Sequence, residues 1–399
     1  MRKSYLKGLI FSLLACAAPA AQAGLVSADD ARSLAAEFFG AGIEERLSSP
    51  DALELIHTQT AGKNTLYYVF NARDGKGYII MSADDCAAPV LAYSLESSYN
   101  AAALPPAMQW LMKSFESEIK AAPDVQKPMT GAARRNMVRR NAVGSPITLN
   151  TAPWSQEAPF NSQIPGQPLT GCVGTAMSII MKYHEFPERG TGSYNGVNFD
   201  VAYDWANMRD DNYRHGYSQT EAEAVGTLVY HAAASIGTQF GYSGSSAYEV
   251  KVPVALVNYF GYDPGVSFRK RSETRTQAEF DQIVENEIRA GRPVLYCGQD
   301  MTMGHAFVVD GFNPVNNMIH VNWGWSGQDG NTNGGWYAST ALNPTVSQSH
   351  NFNYLTTVIY NIKPGTGNNT VWSPIHITAD GAQTGMGSDL TGDLTPGKE

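Results

Sequence analysis

Three side chains in this sequence could together carry out nucleophilic chemistry. Cys172 opens the run CVGTAMSIIMKYHEFP, in which Val173, Ala176, Met177 and Ile180 recur at i, i+3, i+4 and i+7. That spacing predicts a helix with one buried face. Thr170 stands ahead of it as a candidate cap, and Pro187 prevents continuation. A thiol in a first helical turn sits where free N–H groups and the helix dipole stabilise a thiolate, so a lowered pKa is expected. The N–H of Cys172 is also free to hold an oxyanion. The small neighbours Gly171 and Gly174 are expected to leave room for a substrate chain.

A cysteine nucleophile needs a base, and the base needs an orienting group. His305 follows Gly304 at the head of HAFVVDGF, and Asn322 lies in MIHVNWGW, 322 − 305 = 17 positions later. A turn around Asn313–Asn317 would place histidine and asparagine on paired strands, facing the start of the cysteine helix. Trp323 follows Asn322. Asp310, five residues past His305, falls on the opposite strand face and is given a structural role. His184 and His231, both in predicted helices, are read as surface or packing residues. Cys297, in VLYCGQD, is read as a small strand residue.

These residues need a scaffold of two units. Residues 24–141 carry a helix at SADDARSLAAEFFGA with Ser27 as cap, two strands joined at Asp74–Gly75, and a helix at PAMQWLMKSFESEIKAA. Residues 142–364 place helices first (the cysteine run, TEAEAVGTLVYHAAASIG, TQAEFDQIVENEIRAG) and alternating strands afterwards. That order predicts an α+β domain with a helix packed on an antiparallel sheet. The basic stretch AARRNMVRRNAV between the units is expected as a solvated linker or a processing segment. The Gly/Thr/Asp-rich residues 365–399 are expected as a mobile tail.

Bulk properties narrow the function further. The 399 residues carry a net charge of −9, which argues against nucleic acid as a partner. Residues 1–23 combine a basic start, a short apolar core and an AQA site, the pattern of an export signal. Lipidation at Cys16 is the rival reading, and no later stretch is apolar enough to span a membrane. Removing the signal leaves Cys86, Cys172 and Cys297, an odd count that flags a free thiol rather than a disulfide framework. No C-x-x-C spacing suggests a metal, and no cofactor is required.

The order of cysteine helix, histidine, then Asn-Trp resembles the streptopain family of secreted bacterial papain-like cysteine proteases. The resemblance rests on TGCVGTAMSIIMKYHEFP, GHAFVVDGF, HVNWGWSG and WSQEAPFN, and in the first unit on GYIIMSADDCAAPVLAYS. It implies an α+β papain-like fold behind an inhibitory propeptide, made as a zymogen, with protein or peptide substrates. It implies Cys172 as nucleophile, His305 as base and acid, Asn322 as its orienting group and Trp323 beside them. An apolar residue would be preferred before the cleaved residue. Gln156 is similar to the family's oxyanion glutamine. Gln163 and Gln167 compete for that role, and Gln156 is preferred because WSQEAPFN fits the pattern. The loop SGSSAY, with Ser246, resembles a substrate-pocket loop, and Gly304 would line the same groove. A papain-like amidase or transglutaminase, and a catalytically silent binding or inhibitor protein, are the alternatives.

Overall fold

The computed structural model describes residues 24–142, 146–299, 304–325, 334–341 and 356–366. The expected export signal, Cys16 and the tail from 367 onward lie outside the described residues. Seven helices are described: α1 (Ala28–Phe38), α2 (Pro106–Val125), α3 (Gly131–Ala142), α4 (Cys172–His184), α5 (Gln219–Ser235), α6 (Val252–Phe260) and α7 (Gln277–Arg289). The first unit contributes strands β1 (Leu53–Ala61), β2 (Asn64–Ala72), β3 (Tyr78–Ser82) and β4 (Val90–Ser94). The second contributes β5 (Ile147–Thr148), β6 (Ser193–Tyr194), β7 (Val197–Asn198), β8 (Ser267–Lys270) and β9 (Val294–Gln299). The last strands are β10 (Gly304–Asn313), β11 (Met318–Asn322), β12 (Gly335–Ala338) and β13 (Thr357–Tyr360).

The cap predicted at Ser27 forms, and α7 and α5 carry caps of their own. Ser27 accepts from Asp30 N at 3.1 Å, and Thr276 accepts from Glu279 N at 3.1 Å. Ser218 and Glu221 close a reciprocal capping box on α5. The strands of the two units join in one antiparallel sheet, ordered β1-β2-β3-β4-β12-β11-β10-β9-β13-β8, with β5 paired to β10. The junction is β4 against β12, with Trp336 opposite Tyr93 and Tyr337 opposite Ala92.

Strand alternation divides the core. Phe307 and Val309, with their partners Tyr296 and Val294, join the core that includes the first unit and α7. Ala306 and Val308, with Cys297 and Leu295, face the other way and join the core of α4, α5 and α6. A burial period of two on β10 therefore lets one strand serve both cores.

The basic stretch between the units departs from a solvated linker. It forms α3, which packs on α1 and buries Val138 and Arg134. The Arg134 guanidinium donates to the carbonyls of Asp84 (2.6 Å), Ala87 (3.3 Å) and Ser82 (3.1 Å). Three carbonyls of the first unit thus gain a charged donor, which ties the helix to that unit.

Candidate active site

The helix that carries Cys172 begins differently from the sequence expectation. Gly171, not Thr170, takes the cap position, at φ 86° and with no side-chain cap. That backbone angle favours glycine. Thr170 is fully buried and shares a hydrogen bond of 2.6 Å with Thr175 Oγ1, which also donates to Gly171 O at 2.9 Å. The first-turn N–H groups therefore stay open. The N–H groups of Cys172 and Val173, together with that of Ala306 on β10, point at the Cys172 sulfur.

Those three donors pull the thiol pKa down, yet burial outweighs them and Glu249 adds to it, so the pKa stands above its ordinary value. The lowered value expected for a helix start is thus absent in this form of the chain. The glycines are also not there for substrate. A Cβ at Gly174 would lie 2.6 Å from the Cβ of Ala233, so Gly174 lets α4 and α5 cross closely. Gly171 is closed off by Ser245, whose hydroxyl donates to Leu169 O at 2.6 Å.

Cys172 and His305 line one cavity of about 370 Å³, together with Gln156, Glu249, Trp323 and Trp325. Gly304 and Ser246 line it too. Gln156 is buried, whereas Gln163 and Gln167 are exposed and line no part of it. Gln167 sits at φ 54° in a turn, its carbonyl accepting from Asn161. Trp325 faces the cavity as well.

Asn322 goes elsewhere. The register sets Asn322 opposite Val308, while His305 lies opposite Gly298. Positions 305 and 308 have opposite parity, so histidine and asparagine fall on different sheet faces. The Asn322 amide donates to Thr151 Oγ1 (2.9 Å) and Ala152 O (2.8 Å), and its oxygen accepts from Gly324 N (3.1 Å). The orienting bond to His305 expected from sequence is therefore not made by Asn322 among the described residues. Trp323 lies on the His305 face, 4.9 Å from the Phe307 ring and 5.0 Å from Tyr337, to which its indole is hydrogen-bonded.

A polar chain runs on from Asn322. Thr151 Oγ1 donates to Asp310 (2.6 Å), and Asp310 also holds His320 Nδ1 (2.7 Å). His320 Nε2 reaches Glu96 of the first unit at 3.2 Å. Burial pushes the His320 pKa down, but Asp310 and then Glu96 overcome it and hold the imidazole up at about 10. His184 and His231 behave as packing residues. Burial lowers both His184 and His231 to about 4, and His231 bonds Tyr203 at 3.0 Å.

The first unit closes the cavity. Pro105, Pro106 and Ala107, at the start of α2, form part of its wall. One turn on, the Trp110 ring lies on Gly298, the β9 partner of His305, where even a Cβ would overlap it. Sequence reasoning passed over Trp110, because a tryptophan inside an amphipathic helix reads as core. It also passed over Glu249, a lone carboxylate with no motif around it. Away from the cavity, Asp84, Asp85 and Cys86 bring their ligand atoms within 4.8 Å of one another. Arg134 lies against this group and answers its charge.

With this geometry in view, comparison with known proteins is decisive. The model of the peptidase C10 family matches residues 154–337, and that of the Spi protease inhibitor matches residues 23–119. The chain thus carries a peptidase C10 segment behind a Spi protease inhibitor segment in one polypeptide, the make-up of a cysteine-type peptidase zymogen of the streptopain kind. It is 31% identical over 361 residues to the thiol protease/hemagglutinin PrtT of Porphyromonas gingivalis, covering 83% of this chain but 41% of that protein. It is 29% identical over 329 residues to streptopain of Streptococcus pyogenes, covering 74% of this chain and 80% of streptopain. A prointerpain A fragment of Prevotella intermedia superposes with TM-score 0.60 at 27% identity, over 80% of this chain and 99% of the fragment. The α+β, papain-like architecture behind a propeptide unit is thus shared.

Proposed function

We propose that this chain is an exported zymogen whose mature form hydrolyses peptide bonds in proteins, with Cys172 as nucleophile and His305 as base and acid. The observation that carries the assignment is the Cys172 sulfur, faced by three N–H groups in a cavity shared with His305 and Gln156. His305 takes the thiol proton and the sulfur bonds to the peptide carbonyl carbon. The resulting oxyanion is held by the Cys172 N–H and the Gln156 amide. His305 returns its proton to the departing amine as the C–N bond breaks, then removes one from the water that splits the thioester. Trp323 packs on the His305 face. Asn322 acts at one remove, by tying residues 151–152 to the hairpin.

The zymogen reading rests on the first unit closing the cavity at Pro105–Ala107 and Trp110. We place the boundary of the mature enzyme between Ala142, where α3 ends, and Ile147, where β5 already belongs to the second unit's sheet. Among the described residues no helix is long and apolar enough to cross a membrane. Export is supported by the leader pattern of residues 1–23 and by the relatives. An inhibitor domain closing a peptidase site has no purpose in a silent binding protein and does not favour acyl transfer.

The test is casein hydrolysis by material matured from the full chain. Wild type should shorten to a form starting between residues 142 and 147 and degrade casein. Cys172→Ala should stay full length and inactive, while Cys297→Ala should retain activity. Activity in Cys172→Ala would overturn the assignment.

A further inference from the structure

The cavity beside Cys172 holds a carboxylate for which the mechanism has no use. Glu249 begins the short turn Glu249–Lys251 that leads into α6, and it lines the cavity with Cys172 and His305. Its charge is felt at both Cys172 and Cys297, where it raises the thiol pKa. Among the described residues no salt bridge reaches it. Lys270, opposite Thr357 in the β8–β13 ladder, opposes the effect of burial without pairing. The hydroxyl of Thr357, on a residue 4% exposed, approaches both Glu249 and Cys297 without closing a hydrogen bond of normal geometry. A half-buried carboxylate thus stands at one wall of a cavity to which Val173, Ala247 and Ala306 give apolar surface.

That combination suits one kind of side chain. A Lys or Arg can lay its methylenes on apolar walls while its cationic head reaches an acid beyond them. An approaching cation also favours the ionised carboxylate that burial otherwise disfavours. We propose that Glu249 makes this cavity select peptides with a basic side chain at the residue before the one whose carbonyl is attacked. The apolar preference implied by the family resemblance then describes the walls but not the charged end. This proposal rests on the protease reading above.

The experiment uses enzyme matured from the full-length chain and two fluorogenic peptides, identical except for Arg or Leu at that residue. Wild type should favour the Arg peptide in kcat/KM. Glu249→Gln keeps size and hydrogen bonding but removes the charge. It should lower kcat/KM on the Arg peptide relative to the Leu peptide by roughly 10- to 100-fold, the worth of a hydrogen bond to a charged group, since any effect of the lost charge on Cys172 is common to both peptides. Glu249→Asp should fall between the two. An Arg-to-Leu ratio that is the same in wild type and Glu249→Gln would overturn the proposal, as would a wild-type preference for Leu. Casein hydrolysis by the same preparations keeps the two readings apart. If casein is degraded and the ratio does not move, only the specificity proposal fails. If Cys172→Ala degrades casein, the protease reading fails.

Discussion

The seat of Trp110 on Gly298 can be tested without touching the mature enzyme. Trp110 belongs to α2, which the proposed maturation removes, and it is 8% exposed in the zymogen. Replacing a packed tryptophan by alanine costs about 3–5 kcal/mol, transfer and cavity together. Part of that loss falls inside the first unit's own core, which Trp110 shares. The lower end is therefore the better measure for undocking. About 3 kcal/mol multiplies the open fraction by roughly 100. Iodoacetamide labelling of Cys172, read by mass on the full-length species alone, reports that fraction whatever the extent of processing. Trp110→Ala should label roughly 100 times faster than wild type, while its matured enzyme has wild-type kcat/KM. Gly298→Ala should also open the zymogen, because its new Cβ overlaps the indole; overpacking of this kind costs about 1–3 kcal/mol. Combining the two should add nothing to Trp110→Ala, because the clash then has no partner. Labelling of Trp110→Ala at the wild-type rate would refute the idea that this ring holds the site shut.

Other consequences can be measured on the same preparations. Gln156→Ala should lower turnover by about 100- to 1000-fold with little change in KM, because its amide meets charge that exists only in the transition state; Gln167→Ala, an exposed turn residue, should be near normal. Asn322→Ala should reduce activity and stability together through the loss of its bonds to Thr151 and Ala152, and Asn322→Asp should not restore either, since an amide donor is needed there. The hydrogen bond to His320 holds the Glu96 pKa below its ordinary value. Its contribution to docking is therefore present at neutral pH and lost as pH falls through that lowered pKa. Glu96 is largely exposed, so the effect is at most about 1 kcal/mol: Glu96→Gln should speed Cys172 labelling at pH 7 by up to about fivefold, and the difference from wild type should vanish in strong acid. On the alkaline side His320, raised to about 10, keeps its charge up to that pH, and whatever its ion pairs add to stability is lost only as pH climbs through it.

Much of the site was legible because chemistry and pattern coincide at Cys172 and His305. A thiol at the mouth of an amphipathic run and a histidine at the head of an alternating strand each carry a local signal. The structure puts both on one cavity. Gln156 was preferred over Gln167 through the WSQEAPFN pattern rather than through spacing, and the structure sets Gln156, not Gln167, in the cavity wall. Asn322 shows the opposite limit. A separation of 17 residues allows a hairpin, but only the register says which face a residue takes. Here the register pairs residue 308, not 305, with Asn322. α3 was missed for a related reason. Its sequence has no apolar stripe, and a buried arginine answering three carbonyls some fifty residues away holds it in place together with the buried Val138. β1 was missed because LELIHTQT alternates with polar and β-branched residues on a half-exposed edge.

The contacts between the units converge on the part of the enzyme that bears its chemistry. β4 pairs with β12, and the Tyr78 hydroxyl meets that of Tyr337 beneath Trp323. Glu118 of α2, buried, accepts from Thr340 Oγ1 at 2.8 Å and from the Ala341 N–H. Glu96 holds His320, and α2 begins against the cavity itself. All of these grip β11, β12 and the residues next to them, the hairpin from which Asn322 and Trp323 project. Blocking the mouth would need only the turn at Pro105–Ala107. The remaining contacts make release of that turn cost the whole junction, because α2 and the four strands share one core. Inhibition is therefore as cooperative as the folding of the first unit. A cut after α3 does not free the site unless the severed unit also comes apart from β12, and this separates maturation into a cleavage step and a release step.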